Sequence, residues 1–369
     1  MIKNNFFLIS SFYLFYFSAV GVYLIYLPQI LSNVGYSTAK IGIVFSIAPL
    51  IRFAMPFFFL KHFKLDTNVF KLALLLLLVS IPLLYMTLEN FYLFTLAILL
   101  YGATSTIILP YMDTYSLGIL KKEVYGKARL YGSIGFILVA LLLAKYMDDN
   151  YIGLHFIAVA ILFCVLSAYF ITKDSNFAKK DSANSEKFSF FTNLPLWISI
   201  LLMQLSFGAF YGFFTIYEKE AGLSFETISY LWTFGVVCEI ILFYYQVKFL
   251  KYSLLSLMKF SIFITAVRWL MLYYFSDSII MLYVSQSFHA FSFALYHTVT
   301  LSYLYELYHD KNLSSQFYYG IGFGLGGFLG ALLAGIFYGE YLFLFSSIVA
   351  FMAYLSLIWQ KSLIAQENF

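Results

Sequence analysis

The groups of this 369-residue chain that could do chemistry are charged and imidazole side chains lodged in long apolar runs. Arg52, Asp113, Glu239 and Arg268 each fall inside such a run, and Gln286, His289 and His297 crowd into another. A charge at the centre of a membrane helix costs about 2.5–3.5 kcal/mol on insertion scales, so charges kept there pair up and mark solute or ion paths. Arg52 stands about 11 residues into its run, roughly 16 Å of helix rise, which is close to mid-depth. A shift of 187 residues carries Arg52 onto Glu239, so opposite charges are expected at equivalent depths. Arg268 and Asp113 complete a set of two cations and two anions. At 100° per residue, Gln286 and His297 differ by about 20° around the axis and His289 by about 60° from Gln286, so one face carries all three. Such a set can bind a solute, exchange a proton, or pin helices as buried ion pairs. Assembly alone does not need so many costly groups at one depth, which favours the first two. His155, at a helix start near an interface, reads as structural.

The elements that must position these groups follow from composition. The chain is 62% hydrophobic and 11% charged, against ~25% charged in soluble domains. A soluble fold of this size could not hide that apolar surface, whereas each membrane span needs roughly 20 mostly apolar residues. Apolar runs occur at Phe6–Leu31, Ile41–Leu60, Val69–Leu88, Phe91–Leu117, Ala128–Tyr146 and Tyr151–Thr172. Six more follow at Leu194–Tyr217, Phe225–Val247, Leu254–Phe275, Ser278–Leu304, Phe317–Tyr338 and Tyr341–Trp359. With the N-terminus cytoplasmic, 17 Lys and Arg residues collect on one side and Lys40, Lys145 and Lys219 on the other, leaving Arg52 and Arg268 in the membrane. Positive charge favours the cytoplasmic side, so a multi-pass protein of the inner (cytoplasmic) membrane with both termini cytoplasmic is expected. The first run, about 26 residues without a small-residue cleavage site, reads as a retained span and not a signal peptide.

The polar stretch Lys173–Ser189 divides the chain almost in half. The 187-residue shift also lays Gly21 on Gly208, Gly35 on Gly222, Ser37 on Ser224, Ile41 on Ile228, Lys61 on Lys248 and Lys64 on Lys251. With one inserted residue, Tyr131-Gly132 meets Tyr319-Gly320. A constant offset through several helices points to two parallel six-helix repeats: residues 1–172, a cytoplasmic linker 173–190, and residues 191–369. This all-α, twelve-helix arrangement is that of major facilitator transporters, whose solute sites lie near the midplane between the halves.

Other classes fit less well. The net charge of +4 carries no nucleic-acid message, and Cys164 and Cys238 lie in apolar runs, so neither a disulfide nor a metal site is indicated and no cofactor is expected. No His-Glu-x-x-His or Gly-x-Ser-x-Gly occurs, which argues against a membrane enzyme. The glycines from Gly320 to Gly327 lie in an apolar span and read as a close-packing surface, not a phosphate loop. Pro28, Pro49, Pro56 and Pro110 mark candidate bends. A proton-driven exporter and a non-transporting membrane sensor remain alternative readings.

Residues 125–136, Tyr125-Gly126-Lys127-Ala128-Arg129-Leu130-Tyr131-Gly132-Ser133-Ile134-Gly135-Phe136, resemble the start of the fifth helix in the lactose permease and phenylpropionate permease branch of the major facilitator superfamily. Arg268-Trp269 and Gln286-Ser287-Phe288-His289-Ala290 resemble its ninth and tenth helices. The resemblance implies proton-coupled uptake of a small solute, by one chain acting as a monomer. It implies solute binding by Asp113 and Arg129, a cavity-lining Ser133, and an aromatic platform at Phe136, where the sugar permeases carry Trp. It makes Glu239 the acid joining solute binding to protonation, and Arg268 with His289 the proton-coupling pair. The lactose permeases carry Glu one turn after the tenth-helix His, where this chain has Ser292; its seventh helix has only Gln204 in place of the usual Asp. These departures, with Arg52 added, favour the phenylpropionate-like side. The expectation is therefore proton-coupled uptake by alternating access, with Glu239, Arg268, His289 and Arg52 in coupling. Asp113, Arg129, Ser133, Phe136, Gln204, Gln286 and His297 would bind the solute. A carboxylate would fit Arg52 and Arg268; a hydroxylated solute such as a sugar or nucleoside would fit Asp113 and Arg129.

Overall fold

The computed structural model describes residues 2–61, 66–120, 122–147, 149–172, 191–308 and 311–367. The expected linker 173–190 and most of the segment after the second helix lie outside the described residues. The helices are α1 (Asn5–Asn33), α2 (Thr38–Lys61), α3 (Thr67–Thr87), α4 (Phe91–Ile119), α5 (Val124–Tyr146) and α6 (Ile152–Thr172). They continue with α7 (Leu194–Glu220), α8 (Phe225–Phe249), α9 (Leu254–Tyr274), α10 (Ile279–Leu307), α11 (Leu313–Ile336) and α12 (Leu342–Glu367). Eleven contain stretches long and apolar enough to cross a membrane, and the twelfth carries a shorter apolar stretch, Leu342–Ile358. The chain is thus an all-helical, multi-pass membrane protein.

Local chemistry sets the helix ends. The Asp66 carboxylate accepts from the backbone N–H groups of Asn68 and Val69 at 2.9 Å each, and Asn90 accepts from that of Leu93 at 3.2 Å. Ser253 and Ser278 cap α9 and α10 in the same way. Each satisfies a donor that an N-terminus would otherwise leave unpaired. The internal repeat is visible at the C-terminal ends of α1 and α7. Gly35 and Gly222 both have φ +95°, and in both turns the following residue returns its N–H to a carbonyl five positions back. That left-handed cap needs glycine, because a Cβ there is strained. Within this repeat the fully buried Leu31 corresponds to Glu218, which is also fully buried.

The end of the bundle where α1 begins is called here the near end, and the end at the Gly35 and Gly222 turns the far end. In the first half α1 packs on α5 and α6, and α4 on α2 and α3; in the second, α12 packs on α7 and α9, and α10 on α8 and α9. Across the halves α2 meets α11, α5 meets α8, and α1 touches α7. The α2–α11 crossing is tight at the far end, where a Cβ on Gly42 would lie 2.8 Å from the Gly335 Cα and the Ala331 carbonyl. The glycine run of α11 serves two neighbours in alternation. Gly322 and Gly326 lie against Ile200, Leu201 and Gln204 of α7, while Gly324 and Gly327 lie against Phe53 and Pro49 of α2. Only small residues allow such backbone approach.

Among the described residues, π-helical turns occur in three helices, at Val22–Tyr26, Ala290–Leu295 and Tyr318–Gly326, and α5 closes in a 3-10 turn at Ala144–Tyr146. Pro28 explains the first, since it has no N–H to return to the preceding turn. The α2 helix continues through Pro49 and Pro56, and α4 continues through Pro110.

Candidate functional site

Two polar clusters stand inside the membrane-spanning helices, one built by each half. In the first half, α4 carries Asp113, α5 carries Arg129 and Tyr125, and α1 supplies Tyr13 and Phe17. The Asp113 Oδ1 accepts from the Tyr13 hydroxyl at 2.6 Å and the Tyr125 hydroxyl at 3.1 Å, and lies 3.7 Å from the Arg129 Nε. The Arg129 guanidinium packs over the Phe17 ring at 4.2 Å and the Tyr13 ring at 5.0 Å. One charged pair is thereby fixed by two phenols and two ring faces, each cation–π contact contributing roughly 0.5–2 kcal/mol. Both charges stay reachable, with 34% of the Arg129 side chain and 31% of that of Asp113 exposed. Ser133, one turn after Arg129, is half-buried. Phe136 is buried with its ring 6.3 Å from that of Trp232 on α8, where it closes the junction of the halves.

The second cluster centres on Arg268, which is fully buried. Its Nη1 donates to the Ser292 Oγ at 3.2 Å and lies 3.0 Å from the His289 Nδ1, while its Nη2 donates to the Gln286 Oε1 at 3.0 Å. The rings of Phe210 and Trp269 lie 4.3 and 4.6 Å from the guanidinium carbon. The other nitrogen of the imidazole, Nε2, is 3.5 Å from the Glu239 Oε2. Arginine can only donate, so Nδ1 of His289 is the acceptor, and the proton of a neutral imidazole then sits on Nε2, aimed at Glu239. Cation and carboxylate are therefore joined through one imidazole and not in direct contact. The guanidinium Nε and the Gln286 amide nitrogen have no hydrogen-bond partner among the described residues, a pattern that suits hydration of the cluster.

The α10 π-turn has a consequence for this face. His289, Phe293 and His297 form a stacked column, with interplanar angles of 2° and 16°. His297 Nδ1 lies 3.2 Å from the Tyr318 hydroxyl on α11. The structure thus gathers Gln286 and His289 around Arg268 and sets His297 farther toward the near end. Gln204 is buried against the α11 glycines and packs that helix pair.

The expected opposition of Arg52 and Glu239 does not appear as a contact. Glu239 turns to His289 of its own half, and Arg52, exposed at mid-depth on α2, has no ion pair among the described residues. Equivalence under the repeat fixes depth and not distance across the cavity between the halves. Arg129, counted above among the cytoplasmic-side charges, instead lies within α5 beside Asp113. Among the described residues the two clusters and Arg52 together hold three guanidiniums and two carboxylates.

Tyr13 and Phe17 carry no signal in the sequence, because aromatic residues are too abundant to single out; Tyr125 opens the 125–136 motif, but its bond to Asp113 is seen only in the structure. Ser292, noted in the sequence as standing where the lactose permeases carry Glu, accepts from Arg268. At the junction of the halves the Tyr26 hydroxyl donates to the Ala140 carbonyl and lies 2.6 Å from the Ser229 Oγ. Glu218 was also passed over; both its carboxylate oxygens are buried and have no hydrogen-bond partner among the described residues.

Comparison with known proteins agrees with this architecture. The model of the MFS_1 like family matches residues 6–353, and the chain belongs to that family. It is a membrane transporter of the major facilitator type that handles small-molecule solutes, and not an enzyme. It is 24% identical over 364 residues to the uncharacterized transporter YwbF of Bacillus subtilis (strain 168), covering 95% of this chain and 89% of that protein. It is also 29% identical over 159 residues to the probable 3-phenylpropionic acid transporter of Escherichia coli (strain K12), a stretch covering 39% of this chain and 40% of that protein. Among solved structures, a point mutant of the nucleoside transporter NupG is similar with a TM-score of 0.79 at 16% identity, over 96% of this chain and 99% of that one. An autoinhibited POT family peptide transporter is similar with a TM-score of 0.75 at 12% identity, over 98% and 97%. At these identities the likeness to both structures is one of fold.

Proposed function

We propose that this protein is a proton-coupled symporter that takes a small organic solute into the cell by alternating access, with Glu239 as the proton carrier. The observation that carries this reading is the shared imidazole. Ionised Glu239 accepts from the His289 Nε2–H, and the same ring accepts from Arg268. A proton added to Glu239 removes that acceptor charge, and the imidazole and guanidinium can then reorient toward the cavity. The chemistry is a protonation whose state is passed to donors in contact with Gln286 and Ser292. Solute binding by Asp113 and Arg129, with Ser133 one turn on, fits the partial exposure of their charged side chains.

Orientation is read from the charge asymmetry. The positive-inside pattern puts the near end and both termini in the cytoplasm of a cell with the protein in its inner membrane. Contacts between the halves at Gly42–Gly335 and Tyr26–Ser229 lie toward the far end, so this conformation is read as open to the cytoplasm. Residues 1–172 and 191–369 are taken as the two rocking bodies, acting as a monomer, with 173–190 as their cytoplasmic linker. The relatives' names leave two solute classes in view, an aromatic carboxylate and a nucleoside-like molecule. The experiment is uptake into vesicles containing only this protein, with pH gradients of either sign. Accumulation driven by an acidic exterior supports symport; accumulation driven by an acidic interior would mean export.

A further inference from the structure

We infer that Phe210 and Trp232 are positioning residues of the transport cycle, whose packed rings carry the protonation state of Glu239 to the far-end junction of the halves. This deepens the proton-carrier reading proposed above, on which it rests. Phe210 stands on α7 and Trp232 on α8, and both are buried. The Arg268 guanidinium carbon lies 4.3 Å from the centroid of the Phe210 ring, and the His289 ring lies 5.8 Å from it. The same ring packs on Trp232, with centroids 4.5 Å apart. Trp232 in turn meets Phe136 of the first half at 6.3 Å. Each ring spacing falls within the contact range of aromatic pairs. Three rings therefore connect a buried cation of the second half to the first half without a break.

Aromatic residues are abundant in this chain, and core packing alone would explain any one of these contacts. Two further observations single out this series of rings. The Trp232 indole N–H donates to the Thr215 Oγ1 at 3.2 Å, which fixes the orientation of the ring. Helix α8 also carries both ends of the route. At 100° per residue Glu239 lies about 20° around the axis from Trp232. Ser229, one turn before Trp232, has its Oγ 2.6 Å from the Tyr26 hydroxyl of the first half. In this conformation ionised Glu239 holds His289, His289 accepts from Arg268, and Arg268 lies over Phe210. A proton added to Glu239 releases the first of these contacts and frees the guanidinium to shift on the Phe210 ring. A close-packed interior leaves no slack, so the displacement passes through Trp232 to Phe136. The far end then opens when Glu239 is neutral, which is the state that receives solute from outside.

The test is a set of spin-label distance measurements on the full chain in lipid nanodiscs, with no solute and no gradient. In a Cys164→Ser, Cys238→Ser background the labels go on Asn33→Cys and Ala221→Cys, two exposed far-end positions, one in each half. Glu239→Gln should raise the ratio of far-end-open to far-end-closed molecules by roughly fivefold or more. Phe210→Leu or Trp232→Leu should cut that shift to less than about twofold, a non-additivity that marks coupled sites. Trp232→Phe keeps a ring and should preserve most of the shift. A merely structural role would lower thermal stability and leave the Glu239→Gln shift intact. Trp232→Leu, at the junction of the halves, decides the matter should loss of the Phe210 ring prevent folding. The inference alone is overturned if the shift survives either leucine variant, or if Trp232→Phe abolishes it as Trp232→Leu does. If Glu239→Gln does not open the far end in the labelled background, the proton reading falls and this inference with it, so the two failures are distinct.

Discussion

Replacing Gly42 by Ala should open the far end. A Cβ at that position would meet the Gly335 Cα and the Ala331 carbonyl at 2.8 Å, and the Gly335 backbone nitrogen at 3.2 Å. Side-chain carbons do not normally approach backbone so closely, so α2 and α11 must part by several tenths of an ångström. Overpacking of this kind costs about 1–3 kcal/mol, and it is felt only in the conformation where the two helices touch. The equilibrium should then move toward the far-end-open state by roughly 5- to 150-fold. Ser229, fully buried against Tyr26, provides the reporter. In a Cys164→Ser, Cys238→Ser background, Ser229→Cys should react with membrane-impermeant thiol reagents at least fivefold faster when Gly42→Ala is added. Gly212→Ala is the control, since a Cβ there meets nothing within 4 Å. Gly208→Ala is the contrast: it would strike Gly330 of its own half, so it should lower thermal stability without favouring either conformation. Equal Ser229→Cys reactivity with and without Gly42→Ala would refute the idea that this crossing closes the far end.

Arg129→Lys keeps the charge but loses the planar fork between Tyr13 and Phe17, and should reduce uptake at least tenfold with normal expression. Lys127→Ala, an exposed neighbour, should change uptake less than twofold in the same vesicle assay. Glu218→Leu places in α7 the residue that the repeat carries at Leu31. By relieving an unpartnered buried carboxyl it should stabilise the purified protein by about 1–3 kcal/mol, seen as a rise in Tm; a fall would mean that Glu218 has an unrecognised partner. A cysteine at Asn33 should be labelled only from outside the cell and one at Lys71 only from the cytoplasm. Labelling of both from one side would overturn the proposed orientation.

Fold and repeat were readable because membrane crossing forces apolar length, and because the 187-residue offset recurs in turn positions that only glycine can serve. The grouping of Gln286 and His289 on one face followed from helix periodicity, and the pairing of Arg268 with His289 from resemblance, whereas the bond from Arg268 to Gln286 had no sequence signal. The partner of Arg52 was not readable. The offset specifies matching depth in two halves, while ion pairing depends on separation across the cavity, where His289 reaches Glu239 first. The Tyr13 and Phe17 cradle was hidden by composition: with 33 Tyr and 44 Phe, no pattern distinguishes rings that hold a guanidinium from rings that face lipid. The π-turn at Ala290–Leu295, which alters the register of α10 and stacks His289 on Phe293, follows from packing and leaves no local signature.

The central claim is that Glu239 carries the coupled proton through His289, and one paired measurement tests it most directly. Equilibrium exchange and proton-driven uptake of a radiolabelled solute that the wild-type vesicles accumulate would be followed in the same vesicles for wild type, Glu239→Gln, and Glu239→Gln with Arg52→Gln. Glu239→Gln holds the side chain in a neutral form resembling the protonated acid. It should retain most of the exchange rate and lose uphill accumulation, and the second substitution should not restore accumulation, because it returns no titrating group. Uphill accumulation by Glu239→Gln, or its recovery in the double variant, would contradict the account and leave Glu239 as a structural charge.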